Sequence, residues 1–172
     1  IDITGMEWGI YDCNLTISDA YAMNTPQTVG VQLSMNGTLY VTADFPTIQA
    51  AIDAAKDGDI IVVADGTYTG TGNRDMDFNG KSIIVRSENG PDNCTINSGG
   101  TPLQPHRGFY FNDKDYSNAL VEGFTIMGGD IDDGGGIYCG DCYPAPTIRD
   151  CIIRNNTAER GGGVYYSGCE GG

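Results

Sequence analysis

Gly134-Gly135-Gly136-Ile137-Tyr138 returns 27 residues later as Gly161-Gly162-Gly163-Val164-Tyr165. The fold is read outward from that repeat. The same offset lays Val121 on Ile148, Glu122 on Arg149, Phe124 on Cys151, Ile126 on Ile153, Asp133 on Arg160 and Cys142 on Cys169. One shared glycine triplet would mean little, but here the register holds from Val121 to Cys142. Inside the unit, short apolar runs rich in Ile, Val, Tyr and Phe are broken by Gly, Asn, Asp or Pro, which reads as short strands separated by bends. No helical period is sustained between Ser82 and Gly172. Strand-bearing repeats without helices point to a coil stacked on itself, because no coil buries its apolar face alone. Corresponding residues then lie ~4.8 Å apart. At that spacing Glu122 meets Arg149 as an attractive pair, and Cys142 comes within the roughly 4.4–6.8 Å Cα separation that a disulfide to Cys169 requires.

Weaker turns precede these two. Arg107-Gly108-Phe109-Tyr110-Phe111 falls where the glycine triplet and its strand would lie one unit earlier, and Ile83-Ile84-Val85-Arg86 and Ile60-Ile61-Val62-Val63 read as the starts of earlier coils. About five coils are expected from Asp59 onward. Ahead of them, Pro46 to Gly58 is a good helix: proline near the first turn, Ile48, Ala51, Ile52 and Ala55 on one face, and Gly58 as a stop. Such a helix suits the exposed end of a stacked core as a cap. Further upstream, Val29, Val31, Leu33 and Met35 alternate, Asn36-Gly37 offers a tight turn, and Leu39 and Val41 resume the alternation. That predicts a hairpin, either the tail of a preceding β domain or an edge added to the first coil. The expected division is 1–40 as this β extension and 41–172 as the stacked coils.

The chain has 172 residues and no start methionine or signal peptide at Ile1, and Cys169-Glu170-Gly171-Gly172 reads like the middle of a pattern. A piece of a longer protein is therefore expected, truncated at the C-terminus. Asp and Glu total 23 against 9 Lys and Arg, a net charge of −14. That field repels phosphate backbones, so nucleic acid is not an expected partner, and it repels anionic polysaccharides unless a cation bridges the two. No run approaches the ~18 apolar residues of a membrane helix, and a monomer without membrane insertion is expected. Six cysteines (Cys13, Cys94, Cys139, Cys142, Cys151, Cys169) are many for a cytosolic chain and few for a disulfide-built miniprotein.

The run from Phe45 to Tyr68, FPTIQAAIDAAKDGDIIVVADGTY, resembles the opening of the pectin-lyase-like, right-handed parallel β-helix proteins. In that superfamily a capping helix leads into the first strand and then a Gly-Thr-Tyr turn. The glycine-triplet units and Pro146 to Asn156 (PTIRDCIIRNN) are similar to repeats of large bacterial secreted or surface proteins. The resemblance covers roughly residues 39–172. It implies an all-β fold, a right-handed parallel β-helix (solenoid) with an N-terminal capping helix, located outside the cell or on its surface. For function it implies less, since the superfamily holds polysaccharide lyases, esterases, glycosidases, epimerases, tailspikes and adhesins. The pectic glycosidases combine paired aspartates with Gly-His-Gly and Arg-Ile-Lys; Asp132-Asp133 stands here without the other two. None of the arginines has the flanking pattern of the pectate-lyase base, and the Lys/Arg pair of alginate-lyase relatives belongs to later coils.

Several residues remain as candidate sites. Asp130, Asp132 and Asp133 precede a glycine and suit a calcium ion or a solvated turn, with Asp133 facing Arg160. Cys139-Gly140-Asp141-Cys142 is a lone C-x-x-C without the second pair that zinc would need, so buried thiols or a coil-stapling disulfide are expected. Cys151, in the place of Phe124, reads as core filling. His106 is the sole histidine, and no sequence neighbour offers it a carboxylate or nucleophile. Asn155-Asn156 falls at a bend where stacked asparagines bridge successive backbones. Asn14, Asn36, Asn93 and Asn155 begin sequons that matter in a eukaryotic secretory host. Trp8, Tyr11 and Tyr21 cluster early, and Tyr110, Tyr116, Tyr138, Tyr143, Tyr165 and Tyr166 recur along the coils. Tyr138 and Tyr165 share a register that serves either glycan stacking or a cross-strand stack. The leading expectation is a secreted or cell-surface module for adhesion or polysaccharide binding. The alternative is a fragment of a pectate- or alginate-lyase-like enzyme acting on uronate polymers with calcium.

Overall fold

The structure, a computed structural model, describes residues 9–17, 27–112, 118–142 and 144–168, with the backbone alone for 9–17 and 27–35. The chain divides into two compact units, Ile1–Gly37 and Thr38–Gly172. In the first, β1 (Gly9–Ile17) and β2 (Gln27–Met35) pair antiparallel, with Gly9 opposite Met35 and Ile17 opposite Gln27.

The second unit opens with β3 (Thr38–Val41) and α1 (Ile48–Ala54). Four coils follow. The first is β4 (Ile60–Val63), β5 (Gly66–Thr69) and β6 (Met76–Asp77); the second is β7 (Ile84–Ser87), β8 (Cys94–Asn97) and β9 (Phe109–Phe111). The third is β10 (Leu120–Glu122), β11 (Thr125–Met127) and β12 (Ile137–Gly140); the fourth is β13 (Thr147–Arg149), β14 (Ile152–Ile153) and β15 (Val164–Ser167). Stacking yields three parallel sheets, in order β3-β4-β7-β10-β13, β5-β8-β11-β14 and β6-β9-β12-β15. This is a parallel β-helix.

Two expectations need correction. The hairpin across Asn36-Gly37 does not form: β2 pairs with β1, while β3 lies parallel to β4, with Leu39 on Ile61 and Val41 on Val63. Burying Leu39 and Val41 to 6% and 1% exposure in the solenoid core outweighs the local turn signal. Among the described residues the coil count is four rather than five. Phe109-Tyr110-Phe111 is not a coil of its own but the third strand of the coil that opens at Ile84. First strands start at Ile60, Ile84, Leu120 and Thr147, so the coils advance by 24, 36 and 27 residues. Only the last interval equals the repeat visible in the sequence.

The 27-residue register is reproduced pair by pair: Val121 on Ile148, Glu122 on Arg149, Ile126 on Ile153, Tyr138 on Tyr165, and Asp133 bridged to Arg160. Inside, Phe78, Phe109, Phe111 and Phe124 form the aromatic centre of a fully buried core; Phe78 meets Phe111 edge-on with ring centroids 4.9 Å apart. On the outside Glu122 sits between Arg86 and Arg149 and binds Arg149 at 2.9 Å. Asn156 links two coils as a turn asparagine should: its Nδ2 donates to the Ile126 carbonyl, and its Oδ1 accepts from the Gly129 amide.

α1 closes the first coil. Thr47 caps its N-terminus by accepting from the Ala50 amide, and Ile48, Ala51 and Ile52 face the core. Lys81 Nζ donates to the Ile52 and Asp53 carbonyls and so closes the other end. The helix ends at Ala54, short of the expected Gly58. Gln49 behaves as a surrogate strand: its amide oxygen accepts from the Asp77 N–H and its amide nitrogen donates to the Asp77 carbonyl, covering β6. At β3, Asp44 performs a similar service for Tyr40, taking its N–H on the carboxylate and donating its own N–H to its carbonyl.

Close backbone approach requires glycine at some positions of the triplets and not at others. A Cβ on Gly136 would lie 2.4 Å from the Gly163 carbonyl oxygen, whereas one on Gly163 would meet nothing closer than 3.5 Å. Gly136→Ala is therefore expected to cost about 1–3 kcal/mol in urea-induced unfolding. Gly163→Ala, at the same register one coil on, should leave the midpoint nearly unchanged.

Candidate functional site

The outer face of the third sheet carries the densest constellation of functional groups. Strand alternation turns Phe109, Phe111, Ile137 and Cys139 inward and leaves Tyr110 and Tyr138 outside; in-register stacking adds Tyr165. The rings form a column, with centroids 5.3 Å apart at 22° between Tyr110 and Tyr138 and 5.7 Å apart at 34° between Tyr138 and Tyr165. Gly140 shares a face with Tyr138 and supplies the space in which that ring lies, since a Cβ there would sit 2.4 Å from the phenol oxygen. Burial, followed by the fields of Tyr110 and Asp133, pushes the Tyr138 phenol above its ordinary pKa.

Two arginines flank the column. Arg107 places its guanidinium carbon 5.2 Å from the Tyr110 centroid and 4.9 Å from that of Tyr138, and Arg160 lies 5.1 Å from Tyr165. Arg160 is held bidentately by Asp133 at 2.7 and 2.6 Å, an interaction that raises its pKa. Arg107 differs. Its Nη1 is buried with no hydrogen-bond partner among the described residues. Desolvation lowers its pKa against the opposing pull of Asp75, Tyr110, Tyr138 and Asp133.

Asp75 gathers the neighbouring segment. Its Oδ2 lies 2.6 Å from Nδ1 of His106, and its Oδ1 accepts the Arg107 backbone N–H at 2.9 Å. His106 thus has the carboxylate that its sequence neighbours lacked, supplied from 31 residues upstream. Asp75, Arg107 and Tyr110 are the site residues that sequence reasoning singled out least. Tyr110 stands only among the recurring tyrosines, and laying Arg107-Gly108-Phe109-Tyr110-Phe111 on Gly134 to Tyr138 is one residue out, since the structure sets Phe109 on Ile137 and Tyr110 on Tyr138. Asp75 has no periodic counterpart to betray it, because the first two coils depart from the 27-residue spacing.

The other sequence candidates are placed as follows. Asp130, Asp132 and Asp133 lie between β11 and β12. Asp133 is engaged by Arg160, while Asp130 and Asp132 line a cleft of about 350 Å³ with Pro102, Pro105, Thr157 and Glu159. Among the described residues no three His, Cys, Asp or Glu side chains converge as metal ligands. Cys139 and Cys142 are both buried, so the C-x-x-C is part of the interior. Cys169 lies outside the described residues, as do Trp8, Tyr21, Tyr116, Tyr143 and the side chains of Tyr11 and Cys13. Cys151 packs on the core edge as expected for the counterpart of Phe124. Tyr166 pairs in register with Cys139 and is half exposed, and the partial burial of its phenol together with Cys139 pushes its pKa up to about 12. No helix among the described residues is long and apolar enough to cross a membrane.

No protein-family profile matches this chain, and neither a curated protein nor a solved structure matches it. Its chemistry is therefore read from its own geometry.

Burial, aided by the Asp65 carboxylate, pushes the Cys94 thiol up to about 12. A group whose folded pKa is raised contributes stability below its unfolded pKa, near 9 for this thiol, and loses it as pH climbs toward 12. Cys94 is accordingly expected to resist a disulfide reagent at about pH 8 until the chain unfolds. Cys94→Ala should flatten the decline of the urea midpoint in the alkaline range.

Proposed function

We propose that the chain is a secreted or cell-surface β-helix module, of the pectin-lyase-like kind, that binds polysaccharide along the outer face of its third sheet. The observation that carries this reading is the column Tyr110, Tyr138, Tyr165 with Arg107 and Arg160 beside it. The column advances one residue per coil and so offers a periodic strip to a periodic ligand. The faces of Tyr138 are turned to its two neighbours, so a sugar meets ring edges, phenol hydroxyls and guanidinium donors rather than an open aromatic platform. Planar guanidinium groups suit the vicinal hydroxyls of a glycan by paired hydrogen bonds. With a net charge of −14, a neutral chain is favoured over an acidic one.

Affinity electrophoresis through gels containing glucan, xylan, mannan, pectate or alginate tests this. Retardation by at least one is expected, with about tenfold weaker binding for Tyr138→Ala and for Arg107→Ala. Unretarded migration in every gel would overturn the reading.

A second reading, a lyase acting on uronates with calcium, is favoured by Arg107 alone: its Nη1 is buried with no hydrogen-bond partner among the described residues, over the Tyr110 and Tyr138 rings. Calcium at Asp130 and Asp132 belongs to this reading. A calcium-dependent rise in ultraviolet absorbance from unsaturated uronate products, lost in Arg107→Ala, would establish it.

Location outside the cell also carries a covalent consequence. Peptide mapping without reductant is expected to return Cys142 linked to Cys169, the pair that the 27-residue sequence offset aligns.

A further inference from the structure

The second coil is the longest, 36 residues against 24 and 27 for its neighbours, and residues 98–108 hold part of the excess. In a solenoid such insertions map to loops on one face, where binding tends to reside. This loop is built to hold its shape. Thr101 and Gln104 exchange backbone hydrogen bonds at 2.9 and 3.0 Å, and the Thr101 hydroxyl also accepts from the Gln104 amide. Pro102 and Pro105 restrict the backbone on either side of the apex. His106 exchanges backbone hydrogen bonds with Asp130 and is tied to Asp75 through its ring. At the apex of this closed turn Leu103 is 93% exposed, whereas the other exposed large hydrophobics, Tyr40, Ile152 and Tyr166, reach 40–48%. Isolated exposed leucines are ordinary on protein surfaces. A fully exposed one on a turn fixed at both ends, in the coil that departs from the repeat, is a different matter, because order that is already present does not have to be imposed on binding.

The flank of the loop fixes the sign of what binds. Pro102 and Pro105 form one wall of the 350 Å³ cleft, and Asp130, Asp132 and Glu159 stand in it. None of these three carboxylates takes part in an ion pair among the described residues, unlike Asp133 beside them. We propose that residues 98–108 are a protein-docking element: Leu103 inserts into an apolar hollow of a partner protein, and Lys or Arg side chains at the rim of that hollow enter the acidic cleft. A glycan fits this arrangement poorly, having neither a hollow for a leucine nor, in neutral form, a charge to answer the carboxylates. The rim charges act chiefly on the association rate and make it fall with ionic strength.

The test is selection of a random-peptide phage library on the 172-residue chain, followed by measurement of synthetic copies of the enriched peptides. Enriched sequences should combine Lys or Arg with apolar residues. Their affinity should fall about tenfold or more with Leu103→Asp, and the triple variant Asp130→Asn, Asp132→Asn, Glu159→Gln should slow their association and remove its salt dependence. Because Leu103 touches so little, Leu103→Asp should melt with the parent chain, which separates a lost contact from a lost fold. Failure to enrich any peptide, or enriched peptides that bind Leu103→Asp as tightly as the parent, would overturn the proposal. So would the finding that a polysaccharide in the gels above depends on Leu103, which would assign the loop to carbohydrate.

Discussion

Everything in the solenoid depends on one constraint: each residue is stacked ~4.8 Å from its own counterpart in the next coil. Like is placed on like. For apolar side chains this is an advantage, because Val85, Val121 and Ile148 or Phe109, Ile137 and Val164 add into continuous columns. For charges it is a penalty unless sign alternates, and it does: Glu122 lies between Arg86 and Arg149, and Asp133 answers Arg160. For backbone that closes in further still, as at Gly136 over the Gly163 carbonyl, even a methyl group forces the chain to shift. The sequence is thus written down the columns as much as along the strand.

That is also why so much of the fold was legible. The 27-residue offset between the third and fourth coils is a direct print of the spatial register: Val121 on Ile148, Glu122 on Arg149, Ile126 on Ile153, Tyr138 on Tyr165 and Asp133 on Arg160 stack as read. Legibility failed where the constraint is not periodic. Asn36-Gly37 has the chemistry of a hairpin turn, but a turn signal is local, and the burial of Leu39 and Val41 against Ile61 and Val63 is decided at a distance. Phe109-Tyr110-Phe111 imitates a coil of its own because a 36-residue coil exceeds one unit of the shorter repeat.

The candidate site divides along the same line. Tyr138 and Tyr165 were visible because they recur, and Tyr110 extends their column. Asp75 was invisible, since its bond to His106 spans coils of unequal length and leaves no spacing to find. What stacking adds to the tyrosines is also what limits them: a ring pressed between two others offers its rim and hydroxyl to a ligand. The acidic aspartates follow suit, with Asp133 drawn into the ladder by Arg160 while Asp130 and Asp132 remain at the cleft.

The capping arrangement at the first coil has a consequence for assembly. A parallel solenoid has two unlike ends, and copies joined head to tail would repeat one contact without closing, which is the geometry of a fibre. Such growth requires both ends to accept a strand. Here the Asp77 backbone is already spoken for by the Gln49 side chain, and the Tyr40 backbone by Asp44. At those two positions an added strand would find its hydrogen bonds already taken by the side chains of Gln49 and Asp44.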